Sequence, residues 1–121
     1  MAMSDMSLTE HKEQVLLIRW WRLQYPRLSK CLFAIPNGGH RSITTAVKLK
    51  DEGVVSGVSD LFLMMPKGDW HGLFIEMKAE KGRVSPEQKD FMAIANDNGY
   101  LAVVCYGFYE AKKVIETYLL L

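Results

Sequence analysis

A glutamate and a lysine, Glu76 and Lys78, end an apolar stretch of the sequence that reads LFIEMK. Alternate side chains of a β-strand share a face, so these two charged groups point to one side and Leu73, Ile75 and Met77 to the other. Placing a carboxylate and an ammonium on a core strand is costly unless the groups are paired or used. A second carboxylate, Asp60, opens the preceding strand, DLFLMM. Because one hairpin strand starts beside the end of the next, Asp60 is predicted to lie near Glu76 and Lys78.

Two carboxylates and a lysine in this arrangement are suited to chemistry on phosphate. Neighbouring carboxylates repel each other unless a cation joins them, and Mg²⁺ accepts one or two carboxylates, a backbone carbonyl and waters as ligands. A lysine beside such a site can polarise water or stabilise developing negative charge. The parts fit metal-assisted attack of water on a phosphodiester. The alternative is a surface ion pair between Glu76 and Lys78 with an unrelated capping Asp60.

The elements that must position these residues begin with a helix, a strand and a second helix. The first helix is predicted to start at the capping-box pair Ser7 and Glu10 and to stop before Pro26. A strand over residues 31–35 follows and ends in a Pro-Asn-Gly-Gly turn. The segment SITTAVKLKDEG is then predicted to be a short helix that Gly53 ends.

The second half of the chain is predicted to form a hairpin, a helix, a strand and a last helix. The strands SDLFLMMP and WHGLFIEMK are joined by the turn PKGD and are expected to pair antiparallel. Ser85 is a good N-cap for the next helix, with Pro86 in its first turn and Gln88 three residues after the cap. The strand YLAVVCY and the amphipathic helix FYEAKKVIETYLLL complete an α-β-α-β-β-α-β-α order.

Composition is typical of an ordinary globular protein. The 121 residues, of which 49% are hydrophobic and 24% charged, are expected to form one domain over residues 1–121, with residues 1–6 disordered. The N-terminus lacks the features of a signal peptide and no apolar run approaches about 20 residues, so no membrane contact and a cytoplasmic location are expected. The two cysteines, Cys31 and Cys105, lack ligand-like spacing and are predicted to be reduced packing residues.

Charge is unevenly distributed although the net charge is only +1. Residues 11–50 carry eight lysines and arginines against a single acid, Glu13, which suggests an anion-facing surface beside an acidic site. The alternative is a solvated helix face. Within this basic third, the loop PNGGHR combines glycines that let a backbone approach a phosphate with several side-chain donors. The predicted DNA contacts are Asn37, His40 and Arg41 in this loop, Lys48 and Lys50 after it, and Lys81 and Arg83 beyond the acidic site.

Taken in order, these segments resemble the PD-(D/E)xK nuclease superfamily, and more closely its VRR-NUC group. The resemblance runs from HKEQ through IPNGGHR, LKDEGVVSGVSDLFLM and GLFIEMKAEKGRVSPEQ to GYLAVVCYG, and so covers nearly the whole chain. It implies an α/β fold with a restriction-endonuclease-like core, in which helices flank a mixed central sheet. One departure is Ser59, which stands where the group usually has a proline before the aspartate.

The resemblance also implies roles for individual residues. Asp60 and Glu76, with the backbone carbonyl of Met77, would bind Mg²⁺ or Mn²⁺, and Glu13 of the first helix would reach the metal directly or through water. Lys78 would orient the attacking water or stabilise the transition state. Gln88 matches a helix glutamine that abuts this site, although its capping-box position alone would explain it.

The function implied is that of a metal-dependent, structure-selective DNA endonuclease. Stand-alone members of the group are associated with homodimers acting on Holliday junctions, and a two-fold dimer would place two sites on the symmetric strands of a four-way junction. Within the same class, a flap nuclease, a general structure-specific nuclease or a restriction-type enzyme remains open. A DNA-binding subunit that does not cut is the alternative from another class.

Overall fold

Helices form close to where the sequence pattern places them. A computed structural model describes residues 8–36 and 42–121, so the expectations for residues 1–6, for Ser7 and for Asn37, His40 and Arg41 lie outside the described residues. Within the described ranges the α-helices are α1 (Glu10–Gln24), α2 (Ile43–Asp51), α3 (Pro86–Asp97) and α4 (Phe108–Leu119).

Two boundaries in the first third of the chain differ from the prediction. The N-cap of α1 is Thr9, whose side chain accepts a hydrogen bond from the backbone N–H of Lys12 at 3.2 Å. A 3-10 helix at Pro26–Cys31 stands between α1 and the first strand, so that strand starts one residue later than predicted. Pro26 favours this turn because its φ is fixed, and the indole N–H of Trp21 anchors it by donating to the carbonyl of Leu28 at 2.9 Å.

The four strands form one mixed sheet, as the resemblance implied. They are β1 (Leu32–Ala34), β2 (Leu61–Leu63), β3 (Leu73–Lys78) and β4 (Leu101–Tyr106), in the order β1-β2-β3-β4. β1 pairs with β2 and β2 with β3 in antiparallel fashion, and the second of these pairings confirms the predicted hairpin; β3 pairs with β4 in parallel. The parallel pair is connected by α3, because parallel strands need a long crossover.

The main core lies between one face of the sheet and helices α1 and α4. Leu17 and Trp21 of α1 meet Ile115 of α4 there, together with alternate strand residues such as Leu73 and Ile75, and all are fully buried. Burial of this apolar surface supplies most of the stabilisation. The predicted inward face of α4 is confirmed, since its buried residues are Ala111, Ile115 and Tyr118 and Val114 packs against them.

The other face of the sheet is covered over β3 and β4 by α3. The capping box predicted for this helix is present: the Ser85 hydroxyl accepts from the Gln88 N–H at 3.1 Å, and the Gln88 side chain accepts from the Ser85 N–H at 2.9 Å. The ring of Phe91 on α3 lies edge-on to Phe74 of β3, with ring centroids 5.1 Å apart. Helix α2, by contrast, has no buried residue.

Both cysteines have free thiols and pack in or against the core, as predicted. Burial raises the pKa of Cys105 to about 12, and the nearby charge of Glu110 adds to this effect. Such a thiol is an unreactive packing group at neutral pH. In the described residues no helix combines the length and the apolar character needed to cross a membrane.

Candidate active site

Asp60 lies immediately before β2 and reaches across to β3. The pairing of Leu61 with Ile75 places Asp60 opposite the charged end of β3. Its Oδ2 atom accepts a hydrogen bond from the backbone N–H of Met77 at 2.8 Å. β2 makes no ladder pair at this position, so the aspartate side chain supplies the partner that a strand residue would otherwise provide. The contact holds the carboxylate against the edge of β3.

The backbone of Met77 faces the same side as Asp60. The N–H of Leu101 in β4 donates to the carbonyl of Gly72 at 3.0 Å, so Gly72 and the even-numbered residues of β3 direct their backbone groups toward β4. Both the N–H and the C=O of Met77 therefore point the other way, toward Asp60. The Met77 carbonyl and the Asp60 carboxylate thus lie on one side of β3, as a shared ligand role requires.

Glu76 and Lys78 share one face of β3, as strand alternation predicted. Glu76 is 2% exposed and Lys78 is 8% exposed. The Oε2 atom of Glu76 lies 3.5 Å from the Lys78 ammonium nitrogen and accepts a hydrogen bond from the Gln88 side-chain amide at 3.0 Å. The Oε1 atom is buried and has no hydrogen-bond partner in the described part of the chain. A surface ion pair does not describe these two residues.

Burial raises the pKa of Glu76 from an ordinary value of 4.5 to about 7. Loss of hydration is the largest cause and the negative charge of Asp60 adds to it, while the Lys78 ammonium acts in the opposite direction. Near neutral pH the carboxyl group is therefore divided between its protonated and ionised forms. A cation shared with Asp60 would favour the ionised form.

Gln88 joins the capping box of α3 to the acidic site. Its side-chain oxygen accepts from the Ser85 N–H, which leaves the amide nitrogen directed at Glu76. The carboxylate is therefore held at Oε2 by a group whose own orientation is fixed by the helix N-terminus. The Gln88 side chain therefore caps α3 and contacts the Glu76 carboxylate at the same time.

Lys78 also lines a cleft of about 300 Å³ at the C-terminal ends of β3 and β4. Glu13, Glu80, Tyr106 and Gly107 contribute to the same cleft. The cleft gives the buried ammonium group a route to a bound substrate. It also brings the first helix close to the end of β3.

Glu13 does not join the two site carboxylates. Its side chain accepts a hydrogen bond from the backbone N–H of Phe108, the first residue of α4. The N-cap of α4 is Gly107, which has no side chain to satisfy that N–H, and a negative charge at a helix N-terminus is favourable. In the structure, Glu13 therefore caps α4 at the rim of the cleft.

The donor set suits a hard divalent ion. No group of three or more His, Cys, Asp or Glu side chains that could hold a metal occurs within residues 8–36 and 42–121. Mg²⁺ needs only one or two carboxylates when a carbonyl and waters complete its shell. The unpartnered Oε1 of Glu76, beside Asp60 and the Met77 carbonyl, is a buried oxygen that such an ion would satisfy.

The described DNA-contact candidates lie on the surface. Lys48 and Lys50 are exposed in the last turn of α2, and Lys81 and Arg83 are exposed between β3 and α3. The second pair directly follows the site in the chain. These positions allow phosphate contacts, and their role stays a prediction.

The turn before Asp60 contains features that the sequence pattern did not identify. Gly57 has φ +89°, and a Cβ there would overlap the backbone oxygen of Glu87 and lie 2.9 Å from the Gln88 nitrogen. The turn therefore packs directly on the first turn of α3, which carries Gln88. Ser59 is 1% exposed, and its hydroxyl has no hydrogen-bond partner among the described residues. The tight SGVS sequence signals a turn but not what it packs against.

Comparisons with known proteins agree with the fold of the chain. The sequence model of the VRR-NUC domain matches residues 6–109. A solved structure described as a VRR_NUC domain protein superposes with a TM-score of 0.82 at 30% sequence identity, over 93% of this chain and 89% of that one. A search of curated proteins found no relative.

Proposed function

The chain belongs to the VRR-NUC nuclease family, and we propose that it is a metal-dependent endonuclease that hydrolyses phosphodiester bonds in DNA. The observation that carries this proposal is the buried Glu76 carboxylate, which has one oxygen atom without a partner and lies beside Asp60 and Lys78. A structural role alone leaves that arrangement unexplained, because an unpaired buried carboxylate oxygen destabilises the fold.

Asp60, Glu76 and the carbonyl of Met77 are the groups that would hold Mg²⁺ or Mn²⁺. When bound, the ion supplies positive charge to the transition state of phosphodiester hydrolysis and favours deprotonation of the attacking water. The protein fixes its own ligands through the Met77 N–H on Asp60 and the Gln88 amide on Glu76. Ligands held in this way need little rearrangement when charge develops.

Lys78 would act on the water or on the phosphate. Its ammonium group lies beside Glu76 and lines the cleft, so it can donate hydrogen bonds to a nucleophile or to a non-bridging oxygen there. Glu13 would contribute as the cap of α4 that shapes the opposite wall of the cleft, or through water to the metal. Positive charge at Lys48, Lys50, Lys81 and Arg83 would bind the DNA backbone.

The finer proposal is that the substrate is branched DNA, with a four-way junction cut by a homodimer. Exposed apolar side chains support a second copy as partner: Leu23 on α1 is 85% exposed, and Leu120 and Leu121 at the end of the chain are 87% and 58% exposed. An apolar groove of about 460 Å³ lies between β4 and α4 and is lined in part by Leu121. A two-fold dimer would offer two equivalent sites to two symmetric strands.

The test is cleavage of a labelled four-way junction and of a matched linear duplex, each with Mg²⁺, Mn²⁺ or EDTA. Asp60→Ala is expected to abolish cleavage and to retain DNA binding, because it removes a ligand and a charge that repels phosphate. Asp69→Ala is the matched control, since Asp69 is an exposed aspartate in the turn at the far end of the β2–β3 hairpin.

The outcomes separate the parts of the proposal. Cleavage by the Asp60→Ala variant at the wild-type rate contradicts the assigned site. Binding without cleavage in every metal indicates the non-catalytic alternative. If linear duplex is cut as fast as the junction, the enzyme is a nuclease without the proposed preference for branched DNA. Measurement of the molecular mass in solution tests the homodimer.

A further inference from the structure

A row of phenylalanine side chains crosses the sheet beside the candidate active site. Phe33 of β1 pairs with Phe62 of β2, and Phe62 pairs with Phe74 of β3. Directly paired residues of neighbouring strands project from the same face of a sheet. Phe74 shares its face of β3 with Glu76, so the whole row lies on the face that carries the site.

The rings form a continuous aromatic surface. Phe33 lies edge-on to Phe62 with centroids 5.8 Å apart, and Phe62 lies 4.5 Å from Phe74 at an interplanar angle of 34°. Tyr100 adds a further ring, 6.0 Å from Phe62 and 5.8 Å from Phe74. Phe91 of α3 closes the row on the β3 side.

The row is covered at one end and open at the other. Helix α3 packs over β3 and β4, where Phe91 meets Phe74. Phe33 at the β1 end is 40% exposed, which for a phenylalanine on a sheet face is a large apolar surface in contact with water. Packing between strands accounts for the partly buried Phe62 and Phe74 but leaves the exposed part of Phe33 without a role.

The row passes the acidic site on the same face of the sheet, and Phe33 at its open end lies two strands from β3, roughly 10 Å across the sheet. Phe74 and Glu76 are two residues apart on β3, which corresponds to about 7 Å along the strand. Asp60 precedes Phe62 by two residues in the chain and lies just before β2, so both site carboxylates are two residues along the sheet from the aromatic row. The carbonyl of Asp60 also accepts from the N–H of Ile35 at 2.8 Å, which ties the end of β1 to the same position.

We propose that this row, exposed at Phe33, is a stacking surface for an unpaired nucleobase of the DNA strand that is cut. This inference rests on the proposed function, and it specifies the substrate as DNA that has an unpaired base near the scissile phosphate, since the positions of Phe33 and Glu76 are roughly 12 Å apart on the sheet. A base inside a duplex has both faces covered by its neighbours and cannot stack on the row, whereas a base at a branch point can. Stacking on aromatic side chains tolerates any base sequence, as a structure-selective enzyme requires.

The experiment measures binding in EDTA, where no cleavage occurs, so that it does not depend on catalysis. One probe is a branched DNA with 2-aminopurine at the unpaired position next to the branch, and the other is a fully paired duplex of the same length carrying the same label. The wild-type protein is expected to bind the branched probe more tightly and to quench its fluorescence on binding.

Phe33→Leu removes the ring and keeps an apolar side chain. It is expected to weaken binding of the branched probe roughly tenfold, to abolish the quenching, and to leave duplex binding within about twofold. Phe33→Trp restores an aromatic face and is expected to restore both binding and quenching. Tyr109→Leu is the matched control, because Tyr109 is an 82% exposed aromatic residue on α4, which packs on the opposite face of the sheet.

Equal loss of binding to both probes in Phe33→Leu would overturn the proposal, as would unchanged binding to the branched probe. Failure of Phe33→Trp to restore the preference in a folded protein would also overturn it. If the base stacks on the ring of Phe33, another aromatic ring at this position must support binding better than leucine does. Thermal unfolding of each variant shows that the fold is intact. If the wild-type protein binds both probes but cuts neither with metal, the proposed function is contradicted. The comparison of Phe33 variants still tests the stacking proposal, because it measures binding in EDTA.

Discussion

Replacing Glu76 by glutamine is expected to stabilise the metal-free protein at alkaline pH. The pKa of Glu76 is raised from 4.5 to about 7 because its ionised form is buried and faces Asp60. A raised carboxyl pKa means that the folded state disfavours the charge, so stability is lost as pH rises from below 4.5 through 7. Glutamine resembles the protonated acid and can still accept the hydrogen bond from Gln88. The substitution therefore removes a destabilising charge without removing the side chain.

The expected magnitude follows from the interval between the two pKa values. At pH 8.5 that interval corresponds to a gain in the free energy of unfolding of about 3 kcal/mol for Glu76→Gln. At pH 5, where the unfolded glutamate is only partly ionised, the gain falls to about 1 kcal/mol. The pKa of about 7 already includes the effect of Lys78. The Lys78 charge lowers the pKa of Glu76, but burial and Asp60 raise it by more.

The assay is urea unfolding followed by tryptophan fluorescence, in EDTA, at both pH values. Glu80→Gln is the matched control, because Glu80 is an exposed glutamate four residues further along the chain and its substitution removes the same charge from the surface. With added Mg²⁺ the wild-type protein is expected to gain stability and Glu76→Gln is not. If Glu76→Gln has equal or lower stability than the wild type at pH 8.5 in EDTA, the burial of an unfavourable charge at this position is refuted.

Three further predictions concern the turn before Asp60 and the exposed lysines of α2. Gly57→Ala is expected to cost about 2 kcal/mol or more in unfolding free energy and to reduce cleavage, because the residue has a positive φ and its new methyl group would overlap Glu87; unchanged stability and rate would contradict this packing. Ser59→Ala is expected to stabilise the protein by about 1 kcal/mol at unchanged cleavage rate, since it removes a buried hydroxyl without a partner in the described residues; a loss of stability in urea unfolding would show that the hydroxyl is used. Reversal of charge at Lys48 and Lys50 is expected to weaken DNA binding and to flatten its dependence on salt, and an identical salt slope would show that α2 does not contact the backbone.

Much of the site follows from local rules that operate on the sequence. Strand alternation places Glu76 and Lys78 on one face, and hairpin geometry brings Asp60 to them. The capping box at Ser85 follows from residue types three positions apart. These features depend on short stretches of chain, and so the sequence predicts them.

The remaining features depend on contacts between distant segments. Glu13 caps α4 through Phe108, 95 residues away, and the pattern around Glu13 carries no sign of that partner. The aromatic row depends on the register that sets Phe33 against Phe62, which the sequence does not fix for such a short strand. The 3-10 helix at Pro26–Cys31 likewise depends on the hydrogen bond from Trp21 to Leu28 in the folded protein.

The central claim is that Asp60 and Glu76 together bind a divalent ion next to Lys78. Calorimetric titration of the folded protein with Mn²⁺ at pH 8 measures this directly, and Asp60→Asn and Glu76→Gln are each expected to weaken the binding at least tenfold while Asp69→Asn leaves it unchanged. Equal Mn²⁺ affinity in the wild type and in both site variants would contradict the claim.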